Sequence, residues 1–158
     1  MKKKLLILLL LLALTGTAIF LLRHRTSDEE QILSVMDNLK VAVEKKQPQE
    51  ILVNISPNYE DSAQITRRDL QLMTLQYARS AGKVTVNIPD YKGPEIKGKT
   101  ATLLLNVEIN YQEGGENYYE KGSLEFSFRK EKRLWKLIKA EGWQNWAQQA
   151  GVGYDWGE

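Results

Sequence analysis

The sequence predicts an α+β chain: an N-terminal membrane helix, then three helices packed on a curved antiparallel sheet of about four strands. Three observations carry this. The chain opens on an apolar run, Leu5–Leu22, held between Lys2-Lys3-Lys4 and Arg23-His24-Arg25. Apolar residues then recur at helical spacing as far as Ala81, the mark of amphipathic helices. From Val84 the recurrence changes to alternation punctuated by Gly and Pro, the pattern of strands joined by turns.

Residues 1–25 read as a signal-anchor. The apolar run is 18 residues long, starts with eight consecutive Leu/Ile residues and meets no acid before Asp28. As a helix it is about 27 Å long, just enough for a hydrocarbon core of about 30 Å. Secretion after signal cleavage is the alternative, since Leu5–Leu14 and then Thr15-Gly16-Thr17-Ala18 offer an apolar stretch and a small-residue site. Ile19-Phe20-Leu21-Leu22 continues the run past that cut, which favours retention. Leu14-Thr15-Gly16 resembles a lipoprotein acylation site, but Thr17 follows it and the chain has no cysteine. Lipidation, disulfides and thiolate metal ligation are therefore excluded. The three lysines and the amino terminus outweigh Arg23 and Arg25, so the N-terminus stays cytoplasmic. The domain then faces outward, periplasmic or extracellular, on a single-pass anchor.

About 133 residues follow Arg25, one domain's worth. The formal charge of +2 hides an asymmetry: all 20 acidic residues lie beyond Arg25 with 17 of the 22 basic ones. A slightly acidic domain without a basic stripe argues against nucleic acid as a partner. The domain is placed at 26–146, and an aromatic tail with Tyr154 and Trp156 at 147–158.

In chain order, Ser27 with Glu30 forms a capping box at the start of a helix. Ile32, Val35, Met36, Leu39, Ala42 and Val43 make its apolar stripe. Pro48 opens a short second helix with Ile51, Leu52 and Ile55 inward, stopped at Ser56-Pro57. Asn58 to Ile65 is a loop holding Tyr59-Glu60-Asp61, read as an ordinary turn or as a calcium or substrate loop. Thr66 and Asp69 cap a third helix with the stripe Leu70, Met73, Tyr77 and Ala81, ended by Gly82. Val84, Val86 and Ile88 form a short strand, and Pro89 to Lys99 a polar connection.

The last part reads as three antiparallel strands. With Gly114-Gly115 as a two-residue turn, Ala101 faces Phe128, Leu103 faces Phe126, Leu105 faces Leu124 and Tyr111 faces Tyr118. The other side pairs Asn106 with Ser123 and Glu108 with Lys121. A slip of one residue would destroy this sorting. A turn within Lys130-Glu131-Lys132-Arg133 then sets Phe128 against Trp135 and Phe126 against Leu137.

The capped Ser27–Lys46 helix, the Ile51–Tyr59 segment, the Thr66–Ala81 helix and the late strand Leu134-Trp135-Lys136-Leu137-Ile138 together resemble the nuclear transport factor 2-like superfamily. That is a cone-shaped α+β fold, and the resemblance spans about Ser27 to Trp146 by element order and patterning. A cystatin-like sheet wrapping one helix has nearly the same order. The superfamily includes isomerases, dehydratases, binding modules and assembly domains, so the fold leaves function open. Its enzymes work inside the cone, with carboxylate, histidine or tyrosine groups in an apolar cavity.

On the expected apolar side, the end away from Phe128 carries Glu120, Gly122, Lys139 and Glu141, flanked by Tyr111, Tyr118 and Trp143. This is the candidate ligand pocket. Gly122 opposite Glu141 would leave space, and Glu120 or Glu141 there would be the acid or base. The plainer reading is a strand-end rim where charges meet water. The only histidine, His24, abuts the membrane run, and no spacing calls for a metal or cofactor. Arg129, Lys130, Lys132, Arg133 and Lys136 cluster around one hairpin, a charged tip that discourages edge pairing or a contact for acidic headgroups or a partner. The expected function is a membrane-anchored binding or assembly domain without catalysis, its partner an envelope protein or a small ligand. The alternatives are an isomerase or hydratase with an acidic pocket, and a structural subunit of an envelope complex.

Overall fold

The computed structural model describes residues 26–80 and 82–143. Helix α1 (Asp28–Glu44) is capped as its sequence dictates: the Ser27 hydroxyl accepts from Glu30 N, and the Glu30 carboxylate accepts from Ser27 N. Its stripe of Ile32, Val35, Met36, Leu39 and Ala42 is buried. Helix α2 (Pro48–Val53) buries Ile51 and Leu52. Helix α3 (Arg67–Ser80) starts where Thr66 and Asp69 exchange hydrogen bonds. Leu70, Met73 and Tyr77 are only half-buried, and Leu72 and Leu75 face solvent. Tyr77 Oη ties α3 to α1 by donating to Val43 O at 3.0 Å.

Strands β1 (Val84–Lys97), β2 (Thr100–Glu113), β3 (Glu116–Glu131) and β4 (Leu134–Glu141) form one antiparallel sheet in that order. The β2–β3 register is the expected one at every pair, including Leu103 with Phe126 and Tyr111 with Tyr118. One face packs on α1, and Ile32, Leu103, Leu105, Phe128 and Trp135 form the centre of the core.

Two expectations are corrected. The strand expected to end near Ile88 runs on through the presumed connection to Lys97. Pro89 and Pro94 are tolerated because β1 is an edge strand and each falls in a register shift, between Asn87 and Asp90 and between Lys92 and Glu95. Proline lacks the ladder donor and is confined to such places. The β3–β4 turn is the pair Lys132-Arg133, with Lys132 at φ 58°. Phe128 therefore faces Leu137 rather than Trp135, and Phe126 faces Ala140 rather than Leu137. The extra residue is Ile138, bulged between the Ser127–Lys139 and Phe128–Leu137 pairs. A bulge moves the alternation by one, so Ala140 turns inward and Lys139 and Glu141 turn out.

The free edge of β4 is covered by the α2–α3 connection. Leu137 N donates to Asn54 O, Ser56 N to Leu137 O, and Glu60 N to Ile138 O. Among the described residues no helix is long and apolar enough to cross a membrane. Leu5–Leu22 and the tail with Trp146, Tyr154 and Trp156 lie outside them.

Candidate functional site

The six residues expected to share one pocket fall into two groups. Tyr111 and Tyr118 are cross-strand partners near the Gly114-Gly115 turn, their rings stacked with centroids 5.1 Å apart. Tyr111 Oη donates to Glu120 Oε1 at 2.9 Å, and Tyr118 Oη to Glu116 Oε2 at 3.0 Å. Glu120 is half-buried and faces Ile109 across the strands.

Lys139, Glu141 and Trp143 lie elsewhere. Glu141 faces Glu125, and Gly122 faces Val107, so Gly122 and Glu141 are not opposite each other as expected. Glu120 and Glu125 stand five residues apart on β3, about 17 Å along the strand, and point to opposite faces. Glu141 accepts from Ser62 N at 3.1 Å, from the Ser62 hydroxyl, and from the Lys139 ammonium. Burial pushes its carboxyl up, but the bonds from Lys139 and Ser62 outweigh that and hold it below the usual carboxylate range. The same bond, donated to Glu141, raises Lys139. A carboxylate held ionised by a lysine is a poor proton acceptor.

Sequence reasoning missed the organiser of this second group, Asp61. It is buried, with four donors on its two oxygens. Ala63 N and Ile65 N reach Oδ1 at 2.9 and 3.1 Å. Trp143 Nε1 and Tyr59 Oη reach Oδ2 at 3.2 and 3.4 Å. Burial, and then the neighbouring Asp61 charge, push the Tyr59 hydroxyl far above its ordinary range. The Asp61 side chain folds the loop back on itself as Asp does in turns, and this is the signal that the Tyr59-Glu60-Asp61 segment carried. With every oxygen engaged by the protein, Asp61 is a structural tie between the loop and the end of β4.

A pocket beside α1 is a third place. It has a volume of about 210 Å³ between α1, β1 and β2, lined by Leu33, Met36 and Asp37, by Ile88 and Tyr91, and by Leu103 and Leu105. None of the six expected residues lines it. Tyr91, alone among polar neighbours in the stretch read as a connection, was its one legible sign. Among the described residues no group of three His, Asp or Glu side chains is arranged to hold a metal ion.

No protein-family model and no curated protein matches the chain. Solved structures do. A nuclear transport factor 2-like superfamily protein from Salmonella enterica is similar with a TM-score of 0.61 at 10% identity, over 71% of this chain and 87% of that one. A protein from Novosphingobium aromaticivorans assigned as a scytalone dehydratase gives 0.64 at 13%, over 80% and 85%. A hexachlorocyclohexane dehydrochlorinase of type 2 gives 0.61 at 8%, over 70% and 80%. At such identities the likeness is one of fold.

Proposed function

We propose that this chain, which has the nuclear transport factor 2-like fold, is a membrane-anchored, extracytoplasmic binding or assembly domain without catalytic activity. The observation that carries the reading is the Ile138 bulge, which leaves Glu120 and Glu141 on opposite faces of the sheet. The two carboxylates therefore have no common cavity in which to work as acid and base. The pocket beside α1 offers mostly apolar walls and the single carboxylate of Asp37. At about 210 Å³ it is smaller than the roughly 300–1,000 Å³ of drug-sized sites. It suits one aromatic ring or a short acyl group, brought by a small ligand or by a side chain of an envelope partner. The lysine-flanked run Leu5–Leu22 supports an anchor.

Photo-crosslinking tests this. Benzoylphenylalanine in place of Tyr91, in the full chain in its own membrane, is expected to capture one discrete species. Leu33→Trp, which fills the pocket from its half-buried rim, is expected to abolish the adduct. If no adduct rises above background, the pocket is not a binding site.

A second reading rests on the Tyr111–Glu120 hydrogen bond beside the stacked Tyr118. A tyrosine donor and a carboxylate so placed suit an isomerase or hydratase, and two of the structural neighbours are described as a dehydratase and a dehydrochlorinase. A turnover lost in both Glu120→Gln and Tyr111→Phe, with melting unchanged, would favour it.

A further inference from the structure

The start of the domain and the basic turns of the sheet meet at one end of the fold. Thr100, at the β1–β2 turn, is the cross-strand partner of Arg129, and Lys130 N donates to Lys99 O at 2.8 Å. The β1–β2 and β3–β4 hairpin tips therefore lie side by side. Helix α1 begins at the same end: Asp28 accepts from the Lys130 ammonium and, at 3.1 Å, from Trp135 Nε1. From Leu22, the last residue of the apolar run, to the cap at Ser27 the chain can reach at most about 18 Å.

Lys97, Lys99, Arg129, Lys132 and Arg133 are exposed at these tips, and none has an ion-pair partner among the described residues. Leu134, beside them, is 61% exposed. Of the acids at this end Asp28 alone is neutralised by a cation among the described residues, Lys130. Glu30 and Glu131 keep their charge and accept from neutral donors, Glu30 from Ser27 N and Glu131 from Ser56 Oγ at 2.6 Å. Glu29 and Glu95 are exposed, and Arg23 and Arg25 in the linker add further positive charge.

We propose that this end of the sheet is a lipid-facing surface: the two hairpin tips rest on the anionic headgroups of the membrane that holds the chain, with Leu134 at the headgroup boundary. The proposal rests on the anchor reading above, because the short tether is what brings the tips to the bilayer. A tether of that length keeps the start of α1 within about 18 Å of the bilayer, so the tips beside it can come within a Debye length of the surface, about 8 Å at physiological salt, where each Lys or Arg adds to the attraction. It also fixes which end of the domain faces lipid and which faces the solvent, namely the Gly114-Gly115 hairpin.

The chain has no cysteine, so single labels report position cleanly in the full-length protein. Fluorophores are placed at Thr100→Cys and, at the opposite end of the sheet, at Asn117→Cys. Each protein is reconstituted in phosphatidylcholine vesicles with or without phosphatidylglycerol and with a headgroup-attached quencher. Quenching at Thr100 is expected to exceed that at Asn117 severalfold with phosphatidylglycerol. It should fall to the neutral-lipid level when Lys97, Lys99, Lys132 and Arg133 become Gln. If that variant does not fold, raising salt on the parent protein must give the same fall. Equal quenching of the two labels, or quenching at Thr100 indifferent to lipid charge, overturns the proposal. Flotation in high salt tests the anchor separately. A chain that floats in salt with both labels equally quenched keeps the anchor and loses the surface. One that leaves the vesicles in salt, yet quenches at Thr100 before it does so, loses the anchor and keeps the surface.

Discussion

Replacing Asp61 by Ala tests whether this carboxylate holds the loop to the end of β4. The substitution removes the acceptor of four donors: Ala63 N, Ile65 N, Tyr59 Oη and Trp143 Nε1. Ala63 is exposed and its amide can turn to water, but Tyr59 is buried and Ile65 and Trp143 are half-buried. Three donors left without a partner at about 1 kcal/mol each give a loss of about 3 kcal/mol. Over a domain of roughly 120 residues, with a melting entropy of about 2.1 cal/mol/K per residue, that lowers Tm by about 12 °C. The assay is thermal unfolding of the full chain in mild detergent, followed by the circular dichroism of the sheet. Asp61→Asn keeps an acceptor for the two amides and should lose about half as much. Melting of Asp61→Ala within about 2 °C of the parent would mean that water replaces the carboxylate, and the tie would be refuted.

Further outcomes follow from the same end of the sheet. Glu141 has its carboxyl lowered from its ordinary value of 4.5, so its contribution is fully present above pH 4.5 and is lost as pH falls through the lower, folded value. Glu141→Gln should flatten the acid side of the Tm-versus-pH curve below pH 4.5, and an unchanged acid limb would sink the assignment. Gly142 has φ 96°, and an added Cβ would press on the Ser123 carbonyl. Gly142→Ala should therefore cost about 1–3 kcal/mol in a denaturant titration, and a neutral result would show that the turn after β4 relaxes freely.

The fold was legible wherever one side of an element is buried. The α1 stripe and the β2–β3 register follow from sorting apolar from polar residues, because a slip would expose Leu103 and Phe126 together. Edge strands were less legible. Much of β1 lies at the surface, so its outer half carries polar residues and two prolines, and the sequence resembles a loop. The pocket shared that fate because Ile88 and Tyr91 stand on β1. Asp61 was hidden for another reason: its partners at positions 59, 63 and 65 look like any turn, and Trp143 comes 82 residues later.

The feature that most rearranges the expected site is the break in alternation on β4. Counted inward from Trp135, strict alternation takes Leu137, Lys139 and Glu141 to the core side; with Ile138 bulged, it takes Leu137 and Ala140. Without the extra residue, an ammonium and a carboxylate would enter the space that Ala140 fills against Phe126. Buried charges of that kind cost several kcal/mol unless they are fully paired. The bulge removes that cost and turns Lys139 and Glu141 toward each other and Ser62, where they hold the loop that covers the strand's edge. Lys139 and Glu141 are thus employed in closing the sheet, and the pocket beside α1 keeps mostly apolar walls.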